Sequence, residues 1–246
     1  MKNTTNGNKL SMKNGIKDGL PIGLGYLSVS FAFGVQASIA GIPLFMSVFI
    51  SMTNLTSAGQ LAGLTVIATL GTILEMILTQ LVINARYFLM SITLSQKLDD
   101  GFSTGHRFFS SAFITDEIFA VASSKPHLIN KKYFYGLVIL PYFGWALGTL
   151  LGAAAGNVLP TQITNALGIA LYAMFIAIII PPSLKSLGIA CTVIFSAGLS
   201  SIFYYVPVLK QSISGGLATI ICALVTALVI AVIFPVPQKE ERNESC

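Results

Sequence analysis

Apolar residues fill this chain in long uninterrupted stretches, without the alternation that marks the strands of an outer-membrane barrel. No charged residue occurs between positions 19 and 74, or again between positions 133 and 184. Each stretch is more than twice the ~20 apolar residues that one helical membrane crossing needs. The pattern therefore predicts an all-α, polytopic integral membrane protein in which lipid is the solvent for most side chains.

Glycine, proline and short polar runs divide the apolar stretches into segments of unequal length. Full-length spans are predicted at residues 19–40, 61–83, 133–156, 163–180, 187–206 and 213–234. Apolar pieces that are too short for an ordinary crossing occur at 44–52, 87–95 and 108–123. We interpret them as broken or re-entrant half-helices, which gives six crossings, with seven or eight as the alternatives.

Polar tails at 1–18 and 236–246 flank a single predicted transmembrane domain at 19–235. The net charge of +5 comes mainly from lysine and arginine at the ends of spans, with four lysines in the first 17 residues. This bias indicates orientation and predicts a cytoplasmic N-terminus in the cytoplasmic (inner) membrane. No basic stripe is interleaved with aromatic residues, so we expect no nucleic-acid partner. The expected surroundings of the chain are the lipid bilayer.

A weak internal echo favours a repeated architecture. Leu20-Pro21-x-Gly23 opens one apolar block, and Leu140-Pro141-x-x-Gly144 lies near the start of the other, about half a chain later. Many transporters contain inverted repeats that show only as faint symmetry of this kind. An inverted repeat is therefore one interpretation, and chance recurrence in glycine-rich helices is the other.

Two charged residues, Glu75 and Arg86, lie within the apolar segments and need an explanation. A charge at bilayer depth costs at least ~2.5–3.5 kcal/mol, so such residues usually face a protein interior or a watery cavity. Eleven residues apart, they fall on nearly the same face of a continuous helix, ~16 Å apart along its axis, and can line one cavity. The alternatives are an Arg86 that extends to the membrane interface beside Tyr87, and a protonated Glu75 bonded to a neighbouring helix.

Further polar groups extend this set of candidates. Asp116 and Glu117 are adjacent, so on a helix they point ~100° apart and at most one faces a site directly. They can bind an ammonium group or a coupling proton, or form an interfacial acid pair. The other candidates for substrate binding are Asn54, Ser57, Gln60 and Asn84, of which the first three lie where an interrupted helix or an ordinary polar loop is predicted.

Enzyme motifs are missing from the sequence. There is no HExxH, GxSxG, P-loop or GxGxxG, and both histidines, His106 and His127, fall in predicted aqueous loops. The three cysteines show no metal-ligand spacing. We therefore predict no catalytic residue, no metal site and no cofactor.

Four local patterns occur in a characteristic order. They are Pro21-Ile22-Gly23 with Phe31-Ala32-Phe33-Gly34, then Ser57-Ala58-Gly59-Gln60, Asn84-Ala85-Arg86-Tyr87, and Thr115-Asp116-Glu117-Ile118-Phe119-Ala120. Over most of its length the chain thereby resembles the AzlC (YgaZ-type) family of branched-chain amino acid permeases. The resemblance implies an exporter of valine, leucine and isoleucine that works with a small AzlD-type membrane subunit. Family members tend to have histidine where this chain has Tyr87, which puts a proton relay through that position in doubt.

The residues and the resemblance together favour a secondary transporter that exports branched-chain and related neutral L-amino acids, coupled to protons. Arg86 and the backbone amides near Gln60 are expected to hold the substrate carboxylate. Asp116 or Glu117 is expected to hold the ammonium group or the coupling proton. The alternatives are a channel for small solutes or ions and a non-catalytic membrane assembly subunit.

Overall fold

The computed structural model describes residues 10–156 and 158–235, apart from some side chains within 161–178. The predicted tails therefore lie largely outside the described residues, although the first helix begins seven residues before the predicted start of the first span. The described part is helical and contains no named strand. Its helices are α1 Met12–Ile39, α2 Leu44–Thr53, α3 Ser57–Ala68, α4 Ile73–Ser95, α5 Thr104–Ser111, α6 Asp116–Ser124, α7 Lys131–Ala155, α8 Thr161–Lys185, α9 Leu187–Tyr205, α10 Pro207–Ser212 and α11 Gly215–Ile233.

Five of the described helices, α1, α4, α7, α9 and α11, are long and apolar enough to cross a membrane. Helix α8 has 25 residues and, at ~1.5 Å per residue, is also long enough to cross. Large apolar side chains such as Leu70, Phe108 and Val232 are more than 80% exposed, as expected where lipid is the solvent. The protein is a polytopic helical membrane protein, which confirms the predicted fold class.

Helices α1 and α7 form a closely packed parallel pair at the centre of the bundle. Their backbones approach at glycines: a Cβ on Gly19 would lie 2.3 Å from the Leu137 carbonyl oxygen, and one on Gly152 would lie 2.0 Å from that of Phe31. Small residues permit this approach, which supplies packing energy that lipid cannot supply. Both helices start at one end of the bundle, here called the N-terminal face, where Asn130 Nδ2 donates to the Leu10 carbonyl at 2.6 Å. Both end at the opposite, far face.

Helices α2 and α3 form a re-entrant hairpin from the far face, here called the first hairpin. After a turn at Gly41 (φ +79°), α2 descends to the middle of α7, where Tyr142 Oη donates to the Met52 carbonyl at 3.2 Å. The chain is non-helical at 54–56 and then returns as α3. A turn containing Leu70 (φ +54°) leads into α4, which runs antiparallel to α3, with Gln80 Nε2 donating to the Gly59 carbonyl at 2.8 Å.

Helices α5 and α6 form a second hairpin, which enters from the N-terminal face. Arg107 at the base of α5 donates from Nη1 to the Ser95 carbonyl at the end of α4 at 2.8 Å. The chain unwinds at 112–115 at mid-depth, and α6 leads back to the N-terminal face. There Lys125 forms an ion pair with Asp18 of α1 at 2.7 Å.

A long helix followed by a hairpin thus occurs twice, in opposite orientations. Helix α1 runs to the far face and precedes the hairpin that enters from there, while α4 runs to the N-terminal face and precedes the hairpin that enters from there. The inverted relation therefore joins residues 12–68 to residues 73–124. The predicted pairing of the segments at Pro21 and Pro141 was wrong as an inverted pair, because they lie on parallel helices and an inverted relation requires antiparallel ones.

Two predicted segment boundaries were also wrong. The span predicted at 61–83 consists of most of α3, the turn at 69–72 and the first half of α4, whereas the helix that crosses is α4 itself, including the predicted half-helix at 87–95. The turn was missed because Thr69, Leu70, Gly71 and Thr72 are uncharged and barely interrupt the apolar run. The piece predicted at 108–123 belongs to two helices, α5 and α6.

The last helices close the bundle beside α4. Helix α8 runs from the far face to the N-terminal face, α9 returns, and α11 crosses again after the short α10. Gly188 near the start of α9 lies against the Phe234 ring at the end of α11, which places both ends at the N-terminal face. Helix α11 begins at the far face beside Glu75.

Candidate functional site

A cavity of about 800 Å³ lies at mid-depth where the tips of the two hairpins meet. Helices α1 and α4 form two of its walls, and α7, α8 and α11 each contribute one described residue. It is here called the central cavity. Of the predicted site residues, Ser57, Arg86, Asp116 and Glu117 line it. The inverted fold therefore brings together polar residues that are up to sixty positions apart in the chain.

An ion pair lies at the polar end of the central cavity. Arg86 Nη2 of α4 is 2.9 Å from Asp116 Oδ2, at the first residue of α6, and both side chains are about half exposed, at 49% and 46%. Arg86 Nη2 also donates to Tyr87 Oη at 3.2 Å. The Thr115 side chain caps α6, whose N-terminal dipole further stabilises the Asp116 carboxylate. Because neither charge is fully buried, a solute that enters the cavity can reach both.

Glu117 has a different partner from its neighbour Asp116. Tyr26 Oη of α1 lies 2.5 Å from Glu117 Oε2 and 2.6 Å from Thr115 Oγ1. A phenol has one proton, so Tyr26 donates to the carboxylate and accepts from the threonine hydroxyl. Tyr26 therefore joins α1 to the tip of the second hairpin.

The remaining wall of the central cavity is apolar. Trp145 of α7 packs edge-on against the Tyr26 ring, with centroids 5.1 Å apart. Aliphatic residues from both inverted segments, 12–68 and 73–124, cover the rest of the wall. Among them are Ile22, Val29, Leu55, Val82 and Ile83. The central cavity thus has a charged end and an apolar side wall, here called the apolar flank.

Gln60 does not line the central cavity and lies behind Trp145. Trp145 Nε1 donates to Gln60 Oε1 at 3.0 Å, and Gln60 Nε2 donates to Ser51 Oγ at 2.9 Å. Ser51 Oγ is 2.7 Å from Thr149 Oγ1 of α7. All four residues are buried. This network joins the first hairpin to α7 and keeps the Gln60 side chain out of the central cavity. Ser57 and Ala58 at the start of α3 do line the cavity, so the role expected for the backbone amides near Gln60 stays a prediction.

Asn54 and Asn84 hold the tip of the first hairpin in place. Asn84 Nδ2 donates to Gln80 Oε1 at 2.9 Å, and Thr56, the N-cap of α3, donates to Asn84 Oδ1 at 3.1 Å. Asn54 Nδ2 lies 3.5 Å from the same Gln80 oxygen. These amides contact the hairpin and α4, outside the lining of the central cavity.

Glu75 lies near the far face and does not share the cavity with Arg86. Its side chain is buried, and its Oε1 accepts from Ser214 Oγ at 2.5 Å and from the Gly216 backbone N–H at 3.0 Å. Both charges are on α4, as expected, but the helix separates them by ~16 Å. The Glu75 carboxylate is placed to stabilise the N-terminus of α11.

Sequence reasoning missed Tyr26 and Trp145, which contribute a hydroxyl and a large ring to the central cavity. Trp145 is the one tryptophan of the sequence, but neither residue carries a charge or belongs to a motif that indicates a cavity. Thr115 was noted only within a motif, although it caps α6 at the cavity. Among the described residues, no group of histidine, cysteine, aspartate or glutamate side chains could hold a metal ion.

These features define a polytopic membrane protein with two inverted re-entrant hairpins around a central cavity. Residues 21–159 match the family described as AzlC protein, and the chain belongs to the AzlC family. The matched region runs from α1 past the end of α7 and contains both hairpins and the Arg86–Asp116 pair.

Two relatives extend the comparison. The chain is 27% identical to the inner membrane protein YgaZ of Escherichia coli K12, over 88% of this chain and 89% of that protein. It is 30% identical to an uncharacterized membrane protein of Archaeoglobus fulgidus, over 69% of this chain and 74% of that protein. No solved structure matches the chain.

Proposed function

We propose that this protein is a secondary transporter that exports branched-chain and related neutral L-amino acids across the cytoplasmic membrane in exchange for protons. An AzlD-type small membrane subunit is the proposed partner. The observation that carries the proposal is the central cavity, in which a half-exposed Arg86–Asp116 pair lies beside an apolar wall.

The ion pair matches the head group of an amino acid. A zwitterion presents a carboxylate, which suits the planar donor fork of Arg86, and an ammonium group, which suits Asp116. When the substrate inserts between them, each protein charge exchanges one partner for another of the same sign. No charge is left unpaired, so binding avoids the large cost of an isolated charge at bilayer depth.

The apolar flank of the cavity matches an aliphatic side chain. Val29, Val82 and Ile83 present branched hydrocarbon surface with no hydrogen-bonding group. Burying a leucine or valine side chain against such a wall stabilises the complex by ~25 cal/mol per Å² of apolar surface removed from water. A charged or strongly polar side chain would lose its hydration there without a partner, which favours neutral aliphatic substrates.

The inverted hairpins suit alternating access. One hairpin enters from each side of the membrane, and their tips meet at the cavity. Movement of either hairpin can therefore expose the same site to the corresponding side, as in transporters built from inverted repeats. The missing P-loop favours energy from an ion gradient, and the acids at the cavity supply groups that can carry protons.

Counterflow of labelled leucine into proteoliposomes preloaded with unlabelled leucine tests the proposal. The full chain is reconstituted alone and with an AzlD-type subunit. A carrier accumulates label transiently, because it exchanges one molecule for another. A channel cannot do so, and label that only equilibrates in both preparations would reject the carrier.

Substitutions at the ion pair test the site. We expect Arg86→Ala and Asp116→Asn to reduce counterflow at least about tenfold, since each loses a charge-assisted contact worth ~1.5–3 kcal/mol. Lys132→Ala and Asp100→Asn, which remove like charges at exposed positions of the N-terminal face, are the matched controls. Normal counterflow in a well-folded Arg86→Ala variant would make Arg86 an interfacial anchor.

A further inference from the structure

We infer that Glu117, held by Tyr26, carries the coupling proton, and that it acts separately from the Arg86–Asp116 pair that takes the amino acid. The inference rests on the proposed transport function and assigns distinct roles to two adjacent acids. Sequence alone left open which of them faces the pathway.

Adjacent positions on α6 send the two carboxylates to different walls of the central cavity. Consecutive helix residues point ~100° apart. Asp116 reaches α4, where it meets the Arg86 guanidinium at 2.9 Å. Glu117 reaches α1, where the Tyr26 hydroxyl lies at 2.5 Å. One acid is therefore matched to a cation and the other to a neutral donor.

This difference determines which acid can bind a proton without disturbing the substrate site. Protonation of Asp116 would leave Arg86 without its counter-charge. Glu117 can gain or lose a proton while it keeps its contact with Tyr26, because a phenol can act as donor or acceptor. Proton uptake at Glu117 therefore breaks no ion pair.

The other groups around Glu117 leave this assignment intact. From α4, Arg86 is engaged by Asp116 and by the Tyr87 hydroxyl. From α3, α7, α8 and α11, the described residues that line the cavity carry no charge; they are Ser57, Ala58, Trp145, Ile179 and Ala223. Tyr26 on α1 is the hydroxyl in direct contact with Glu117.

Tyr26 also gives the proton site a route to the opposite hairpin. Its ring packs edge-on against Trp145, and Trp145 donates to Gln60 of the first hairpin at 3.0 Å. A change in the protonation of Glu117 can thus alter the contacts between Trp145 and the first hairpin. Tyr26 is a positioning residue in this scheme, since it acts through Glu117 and Trp145.

Two transport assays on the same proteoliposomes separate the roles. The first is leucine counterflow without a pH gradient, which needs substrate binding and exchange. The second is leucine accumulation driven by an imposed pH gradient, with proton flux followed by an internal pH dye. The variants are Glu117→Gln, Tyr26→Phe and Asp116→Asn, each checked for a single symmetrical peak in size-exclusion chromatography.

We expect Glu117→Gln to keep at least half of the wild-type counterflow and to lose gradient-driven accumulation by at least about tenfold, together with leucine-dependent proton flux. Tyr26→Phe should lower the protons moved per leucine while counterflow persists. Asp116→Asn should lose both activities. Tyr26→Phe retains the ring against Trp145 and still tests the scheme if Glu117→Gln does not fold.

Other outcomes would overturn the inference in distinguishable ways. Gradient-driven accumulation that survives in Glu117→Gln would remove the proton from this residue. Loss of both activities in folded Glu117→Gln would make Glu117 part of the substrate site. A wild-type protein with no counterflow, with or without the small subunit, would instead reject the proposed function itself.

Discussion

At the scale of single residues, Trp145 sets the depth of the apolar flank. Its ring closes the central cavity against the first hairpin, and its N–H is held by Gln60. We expect Trp145→Leu to enlarge the space for the substrate side chain and to raise the potency of phenylalanine relative to valine about tenfold. Such pockets discriminate by ~1–3 kcal/mol per methylene-sized change.

Competition of unlabelled valine and phenylalanine against labelled leucine counterflow measures this ratio. Trp145→Phe is the matched control, because it removes the N–H but keeps an aromatic ring. An unchanged ratio in Trp145→Leu would mean that the substrate side chain lies elsewhere.

Glu75 is predicted to act on stability and to leave transport intact. Glu75→Gln retains an acceptor for Ser214 and Gly216 but loses the negative charge at the N-terminus of α11. We expect it to lower the free energy of unfolding by ~0.3–1 kcal/mol, with counterflow retained. Glu75→Leu leaves both donors unpaired and should cost ~1–3 kcal/mol. Full thermal stability with lost counterflow in Glu75→Gln would place Glu75 in the transport site after all.

At the scale of elements, the α1–α7 pair depends on glycines that have no room for a side chain. A Cβ on Gly152 would lie 2.0 Å from a backbone oxygen of α1, whereas one on Gly25 would meet nothing within 4 Å. We expect Gly152→Ala to lower the free energy of unfolding by ~1–3 kcal/mol through overpacking. The matched Gly25→Ala should leave it unchanged or raise it slightly, because alanine favours helix.

Thermal denaturation of the purified variants in the same detergent compares them directly. Equal midpoints for Gly152→Ala and Gly25→Ala would show that the two helices can separate without loss of stability. The predicted difference between two chemically identical substitutions isolates helix packing from helix propensity.

The sequence predicted which elements cross the membrane better than it predicted which ones turn back. Hydropathy identified α7, α9 and α11 closely, because lipid-facing length is fixed by bilayer thickness. It misplaced the crossing at 61–83, since the uncharged turn at Leu70 is nearly as apolar as the helices that it joins. The short apolar pieces did indicate re-entrant structure, although the return arm α3 was absorbed into a span.

The sequence indicated mainly those residues of the candidate site that carry a charge, because a charged side chain at bilayer depth is energetically costly. Arg86 and Asp116 stood out because charges at bilayer depth need partners, and they lie together in the central cavity. Glu75 stood out for the same reason, yet its partners are donors at the start of α11. Tyr26 and Trp145 could not be identified, since an aromatic residue in an apolar helix is equally at home in lipid, core or cavity.

At the scale of the whole molecule, buried side chains of the first hairpin and of α7 lie between the central cavity and the far face. The residues that line the central cavity come from the hairpin tips and from parts of α1, α4, α7, α8 and α11 at mid-depth or nearer the N-terminal face. On the side of the far face, Ser51, Gln60, Trp145 and Thr149 form a connected set of buried hydrogen bonds. If the protein transports by alternating access, as proposed above, this arrangement corresponds to one of the two required states, with the first hairpin as the closed gate.

The inverted topology itself can be tested by the side of the membrane on which three exposed positions lie. Ala40 follows α1, Leu70 joins α3 to α4, and Gln96 follows α4. The first hairpin re-enters and α4 crosses, so Ala40 and Leu70 lie on one side and Gln96 on the other. With the N-terminus in the cytoplasm, as predicted, we expect Ala40→Cys and Leu70→Cys to react with a membrane-impermeant maleimide in intact cells, and Gln96→Cys to react only after the cells are opened. The labelling uses a background in which Cys191, Cys222 and Cys246 are replaced. Opposite accessibility of Ala40→Cys and Leu70→Cys would mean that α2 and α3 cross the membrane together. Shared accessibility of Leu70→Cys and Gln96→Cys would mean that α4 does not cross. Either result would contradict the inverted hairpins on which the central cavity depends.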